Sequence, residues 1–176
     1  LGCIASNAMV EAPEPGCIRR SRVAGGSTYA VFRIGELHGR PTPRAAAIAK
    51  ALTAADSARV TGNLWGERWS KLVTNTMTTG LCAVTGLGLR ALAAHLPARK
   101  AMLRLGAEAI RTGESLGFAL EPVNGLAPET WLAADAGDAE ALAAAHRVFD
   151  LDVERLTDTA RSATAQDIAK GRRTEI

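Results

Sequence analysis

Two hydrophobic periods divide the chain. Up to about residue 62, apolar residues come in short β-prone runs, "GCIASNAMV", "GCIRRSRV" and "STYAVFRIGE". Between the first two, "EAPEPG" supplies two prolines and a glycine and predicts a turn. "HGRPTP" breaks the pattern, and Thr42 followed by Pro43 starts a helix predicted over "RAAAIAKALTAAD". "SARVTG" reads as one more strand. From Asn63 the spacing turns helical. Asn63 can cap a helix running to about Thr85, and "GLGLRALAAH" allows a break and a short helical turn. "PARKAMLRLGAEAIRTGESLG" sets Met102, Leu105, Ala109, Ile110 and Leu116 at helical spacing and ends on Gly117. A short helix begins around Pro128, a long one capped by Asp138 covers "DAEALAAAHRVFDLDVERLTDTARS", and a last one, "ATAQDIAKGRR", stops near Gly171. The pattern predicts an α+β fragment. Residues 1–62 are the closing part of an α/β domain, and residues 63–176 are a helical bundle.

The first long helix carries an unusual polar stripe. In "ERWSKLVTNTMTTG", Lys71, Asn75 and Thr79 recur every four residues and share one face, while Trp65, Trp69, Leu72 and Met77 largely point elsewhere. A solvated face explains this, with Glu67 four residues before Lys71 in a surface pair worth ~0.3–0.5 kcal/mol. The stripe alone favours that solvated face over a functional one, and the rest of the chain has to decide.

Composition narrows the classes. A chain of 176 residues buries roughly 70% of the surface its unfolded form exposes. Hydrophobic content of 47% and a mean hydropathy of +0.03 are ordinary for a soluble fold. The net charge of +3, from 21 basic and 18 acidic residues spread along the chain, argues for no nucleic-acid partner. No run of ~18 apolar residues and no targeting pattern occur, so no membrane association is expected. Cys3, Cys17 and Cys82 are odd in number and form no CxxC pair, which suits a reduced, cytoplasmic protein. His38, His95 and His146 lack ligand spacing, so no metal is expected. There is no GxSxG elbow. "GLGLRA" at Gly86 follows a helix rather than a strand and is no dinucleotide fingerprint. Lys170, Arg172 and Arg173 fit a solvated helix end whose cations complement the dipole. The apolar opening at Leu1 and the closing "GRRTEI" read as cuts in a longer protein.

Two separated motifs then give the stripe a meaning. "ERWSKLVTNTMTTGLCAVTG" and "SATAQDIAKGRRTEI" resemble, in the same order, two segments of the ketopantoate reductase (2-dehydropantoate 2-reductase) family. "LGCIASNAMVEAPEPGCIRR" is similar to a strand pair late in that family's nucleotide domain. The resemblance covers nearly the whole chain. It implies the end of a Rossmann-like NADP-binding domain followed by an all-α domain like the C-terminal domain of 6-phosphogluconate dehydrogenase. It also implies NADPH-dependent reduction of 2-dehydropantoate in pantothenate and coenzyme A biosynthesis, with NADPH as cofactor and a small 2-keto acid as substrate.

Residue by residue, the resemblance makes Lys71 the catalytic general acid and Asn75 a substrate-binding amide. Glu175 falls beside cofactor and substrate. The family's second asparagine is Thr79 here, and its substrate-binding serine falls on Ala163, with Ser162 just before it as an offset stand-in. A helical offset of one residue turns a side chain by about 100°. The phosphate-binding glycine loop is not in this chain. A homodimer would form through the helical domain. Two alternatives stand beside the reductase: a family member reducing a different 2-keto acid, and a non-catalytic, truncated helical module.

Overall fold

Helix starts and stops are set locally, by side chains that absorb the unpaired backbone groups at each end. The computed structural model describes residues 1–6, 10–20 and 30–174. The chain forms two compact units, Leu1–Arg68 and Trp69–Ile176, and the division falls within one helix.

The first unit holds the strands. β1 (Gly2–Ala5) pairs antiparallel with β4 (Phe32–Gly35), and β4 pairs parallel with β5 (Ala58–Val60), giving the order β1-β4-β5. The β4–β5 connection is α1 (Pro43–Leu52), the helical crossover that a parallel pair requires. Thr42 caps α1 by accepting from the Ala45 amide, and Pro43 sits at its first position as the sequence predicts. Ile34, Ala45 and Ala49 form the apolar contact of sheet and helix, flanked by Phe32, Leu52, Ala58 and Val60.

β2 (Val10–Glu14) and β3 (Cys17–Arg20) make a separate antiparallel hairpin. The predicted break therefore shortens. "EAPE" is strand, and the turn is Pro15-Gly16, with Gly16 at φ +80°. That sign needs glycine at the third turn position, and Pro13 is tolerated because each strand of a two-stranded sheet is an edge.

Two buried carboxylates tie this unit together. Glu36 Oε1 accepts from Thr42 Oγ1 at 2.5 Å and Arg44 Nε at 2.7 Å, and Oε2 accepts from Arg44 Nη2 at 2.7 Å. Arg44 first, then Thr42, pulls the Glu36 pKa down to about 2. Glu67 is 2% exposed between two cations, with Arg59 Nη2 at 2.6 Å and Arg33 Nε at 2.9 Å.

The helix that crosses the division is α2 (Leu64–Thr85). Asn63 Oδ1 accepts from the Gly66 amide at 3.1 Å, which is the expected cap, and Gly86 at φ +70° ends it. Beyond it come α3 (Leu89–Ala94), α4 (Leu96–Ser115), α5 (Pro128–Ala136), α6 (Ala139–Arg155) and α7 (Ala163–Ala169). α4 ends in a Schellman motif: Gly117, φ +82°, donates to Glu114 O and Phe118 to Gly113 O. Leu116, one of the apolar residues at helical spacing, is 60% exposed, and the buried face includes Met102, Leu103, Gly106, Ala107, Ile110 and Gly113. Asp138 caps α6 through the Ala141 amide at 2.8 Å as predicted, but the helix stops at Arg155, short of Ser162. There Thr157 and Thr159 bond to each other through their hydroxyls, Ala160 N–H donates to Thr157 O, and the chain is tied to α3 by Leu89 N–H donating to Ala160 O and by Arg90 pairing with Asp158 at 2.7 Å. The second unit's core gathers Val73, Met77, Leu92, Met102, Ile110, Trp131 and Phe149. No helix among the described residues is long and apolar enough to cross a membrane.

Candidate active site

Two glycines fix how α2 turns its faces. A Cβ on Gly106 would lie 3.0 Å from Met77 Cγ, and one on Gly113 would lie 2.2 Å from Trp69 Nε1. The contacts run in opposite sequence order, so α2 and α4 pack antiparallel at close range. Trp69 Nε1 donates to Ala109 O at 2.8 Å, and its ring stacks on Phe118 with centroids 5.0 Å apart. Val73 and Met77 are buried in the same core. Lys71 and Asn75 each lie two residues from Val73, about 160° around the helix, so the stripe turns away from α4.

On that stripe Lys71 and Thr79 are half-buried and Asn75 is exposed. Glu67 is spent on Arg33 and Arg59. The surface pair proposed for Glu67 and Lys71 is absent, and Lys71 has no ion-pair partner among the described residues. The neighbouring hydroxyls are committed: Thr74 shares its proton between Ser70 O at 3.4 Å and Asn124 Oδ1 at 3.5 Å, and Thr76, Thr78 and Thr85 each donate to the carbonyl four residues back. Thr79 does not, and neither it nor Asn75 has a side-chain hydrogen bond among the described residues. α2 therefore presents an ammonium, an amide and a hydroxyl at successive turns with their bonding capacity unspent. The two other aromatic and apolar neighbours in this stretch, Trp65 and Leu72, are 45% and 47% exposed rather than core.

Ser162, the other expected site residue among the described ones, is not on α2. Ser162 is the N-cap of α7: it is 8% exposed, and its Oγ accepts from the Ala165 amide at 3.2 Å. Its backbone and hydroxyl both face the Cys82 thiol, whose pKa burial raises. Glu175 lies outside the described residues. The sequence reading missed Ser70, whose Oγ donates to Glu121 O at 2.9 Å and accepts from the Glu121 amide at 2.8 Å, holding the following loop against α2. Sequence gives no cue to that pairing. It does give one to the loop's turn, Asn124-Gly125, since Asn-Gly favours a two-residue hairpin.

A nicotinamide nucleotide needs a phosphate cradle, normally a glycine-rich loop opening a helix N-terminus. Among the described residues, neither α1 nor α2 offers one. The N-terminus of α1 is taken by the Glu36 carboxylate, which accepts from the capping Thr42 and would repel a phosphate. The N-terminus of α2 is closed by Asn63 and carries Glu67 in its first turn.

Comparisons with known proteins agree on one family. A family model described as "Ketopantoate reductase PanE/ApbA C terminal" matches residues 63–176. The crystal structure of a PanE/ApbA family ketopantoate reductase from Ralstonia eutropha JMP134 aligns with a TM-score of 0.64 and 22% identity. That alignment covers 98% of this chain and 47% of the Ralstonia chain, so the chain spans about half the length of that relative. No curated protein matches. The fold is thus the expected one, and with the family model matching well over half its residues, the chain belongs to the ketopantoate reductase PanE/ApbA family through that family's C-terminal domain.

Proposed function

We propose that the intact protein carrying this chain is an NADPH-dependent 2-keto acid reductase in which Lys71 is the general acid. The observation that carries this reading is the unspent stripe of Lys71, Asn75 and Thr79 on α2, inside the segment that the family model matches. The reduction of the substrate's carbonyl carbon would take its hydride from NADPH, and the remaining roles are those of this chain's own residues. As that carbon is reduced, negative charge grows on its oxygen. An ammonium at that oxygen stabilises the charge and then delivers the proton that completes the alcohol. Asn75, one turn on, can donate to one substrate oxygen and accept from a hydroxyl. Thr79 offers a shorter reach and one donor where the family's resemblance implies an amide, which favours a 2-keto acid other than ketopantoate. Ser162, which the resemblance offers as a stand-in for a substrate-binding serine, caps α7 as an acceptor, a role that does not use its hydroxyl proton. Glu175 is assigned to cofactor contact on the resemblance alone.

The test is NADPH oxidation followed at 340 nm in the intact protein, with ketopantoate and a panel of other 2-keto acids. Lys71→Ala should lower kcat by ~10²–10⁴-fold, roughly 3–5 kcal/mol of transition-state stabilisation. Asn75→Ala should raise KM at least as much as it lowers kcat, since it binds substrate before and during hydride transfer. A Lys71→Ala enzyme within threefold of the parent ends the reading.

A further inference from the structure

The loop that Ser70 clamps to α2 carries a second feature. Val123 and Leu126 exchange both backbone hydrogen bonds, at 2.8 and 3.1 Å, and enclose Asn124 at φ +50° and Gly125 at φ +85°. Positive φ at both central positions is the signature of a type I′ turn. Its orientation is fixed from both sides. Ser70 Oγ holds the Glu121 backbone through both its N–H and C=O, and Trp131 Nε1, fully buried, donates to Val123 O at 3.0 Å. An exposed turn anchored this way keeps its backbone in place, so a ligand contact there orders only a side chain and not a loop.

What the turn presents is the Asn124 amide, at the edge of the polar face of α2. Its Oδ1 lies 3.5 Å from Thr74 Oγ1, at the long limit of a hydrogen bond. Thr74 is three residues from Lys71 and precedes Asn75, so it neighbours Lys71 on the helix surface. With Oδ1 turned to Thr74, the two N–H groups of Nδ2 have no partner among the described residues. Next to Thr74, on the helix surface that also carries Lys71 and Asn75, a free amide donor suits an anionic oxygen.

We infer that Asn124 is a further substrate-binding residue, whose Nδ2 donates to the carboxylate of the 2-keto acid held along Lys71 and Asn75. This rests on the reductase reading for the identity of the ligand. The turn itself supplies the control. Gly-Gly also favours type I′, so Asn124→Gly removes the amide and keeps the backbone, and Asp-Gly does the same while replacing the donor by a carboxylate.

The experiment uses the intact protein with NADP⁺ bound. Calorimetric titration with ketopantoate, pyruvate, 2-oxoisovalerate and phenylpyruvate first selects the acid bound most tightly. With that acid, Asn124→Gly should weaken Kd about tenfold, as expected for losing a hydrogen bond to a charged group. Asn124→Asp should weaken it further by repulsion, and both Tm values should stay within a few degrees of the parent. A Kd within twofold for Asn124→Gly overturns the inference, and so does Asn124→Asp binding as tightly as the parent. Turnover of NADPH in the same samples separates the two readings. Parent turnover with an unchanged KM in Asn124→Gly sinks Asn124 and leaves the reductase standing. Binding lost in Asn124→Gly, with no turnover in the parent, does the reverse. If none of the acids binds, both fall.

Discussion

Replacing Gly113 by alanine tests the packing that orients α2. On an exposed helix the change should help, since Ala outranks Gly by about 1 kcal/mol. Here the new Cβ would sit 2.2 Å from Trp69 Nε1, 2.4 Å from Cδ1 and 2.8 Å from Cε2. An indole cannot yield like the free end of a flexible chain, because it is held by Ala109 O at 2.8 Å and stacked on Phe118. Moving it forfeits one hydrogen bond, about 0.5–1.5 kcal/mol net, and an aromatic pair of about 0.5–1.5 kcal/mol. Overpacking adds about 1–3 kcal/mol. After the propensity gain of about 1 kcal/mol is returned, the net loss centres near 3 kcal/mol. For a chain of this size that lowers Tm by about 6–12 °C. Urea unfolding followed by tryptophan fluorescence gives ΔΔG, and Gly113→Ala combined with Trp69→Leu should recover part of it through a coupling term. A neutral or stabilised Gly113→Ala would show that α2 and α4 do not approach as described.

Ser70→Ala should cost about 1–3 kcal/mol, because it leaves both the N–H and the C=O of Glu121 without the hydroxyl that serves them; urea unfolding checks this, and an unchanged midpoint would refute it. Because Arg44 and Thr42 depress the Glu36 pKa to about 2, its ionised form stabilises the fold above the unfolded pKa near 4.5, and that stability is lost as pH falls through about 2. Thermal unfolding of Glu36→Gln against parent should therefore show a gap at pH 7 that closes on acidification; a gap independent of pH contradicts the assignment. Residues 1–176 alone should hold NADPH only feebly, since neither α1 nor α2 opens on a phosphate cradle; micromolar affinity by calorimetry would overturn that.

Much of the fold was legible because its signals are local. Asn63, Thr42 and Asp138 cap the helices they were expected to cap, and Gly86, Gly117 and Gly171 stop helices with positive φ. Chain spacing also placed Lys71, Asn75 and Thr79 on one face of α2. What failed needed the third dimension. Glu67 was read as a surface partner of Lys71, but Arg33 and Arg59, brought in by β4 and β5, claim it. The long helix from Asp138 was expected to reach Ser162, but it ends at Arg155, where Thr157 and Thr159 bond each other and Asp158 pairs with the distant Arg90. That Ser162 also caps the α7 N-terminus could not be seen from sequence. The approach of Gly106 and Gly113 to Met77 and Trp69 joins residues some thirty to forty apart, and no local pattern announces it.

The role of Lys71 is decided by Lys71→Arg in the intact protein. Arginine keeps the positive charge and most of the stem, but it holds its proton at neutral pH. If Lys71 must donate a proton to the forming alcohol, kcat with the best 2-keto acid should fall by ~10²-fold or more, with KM and Tm little changed. A Lys71→Arg enzyme that turns over within threefold of the parent would show that charge alone suffices and that Lys71 is not the general acid.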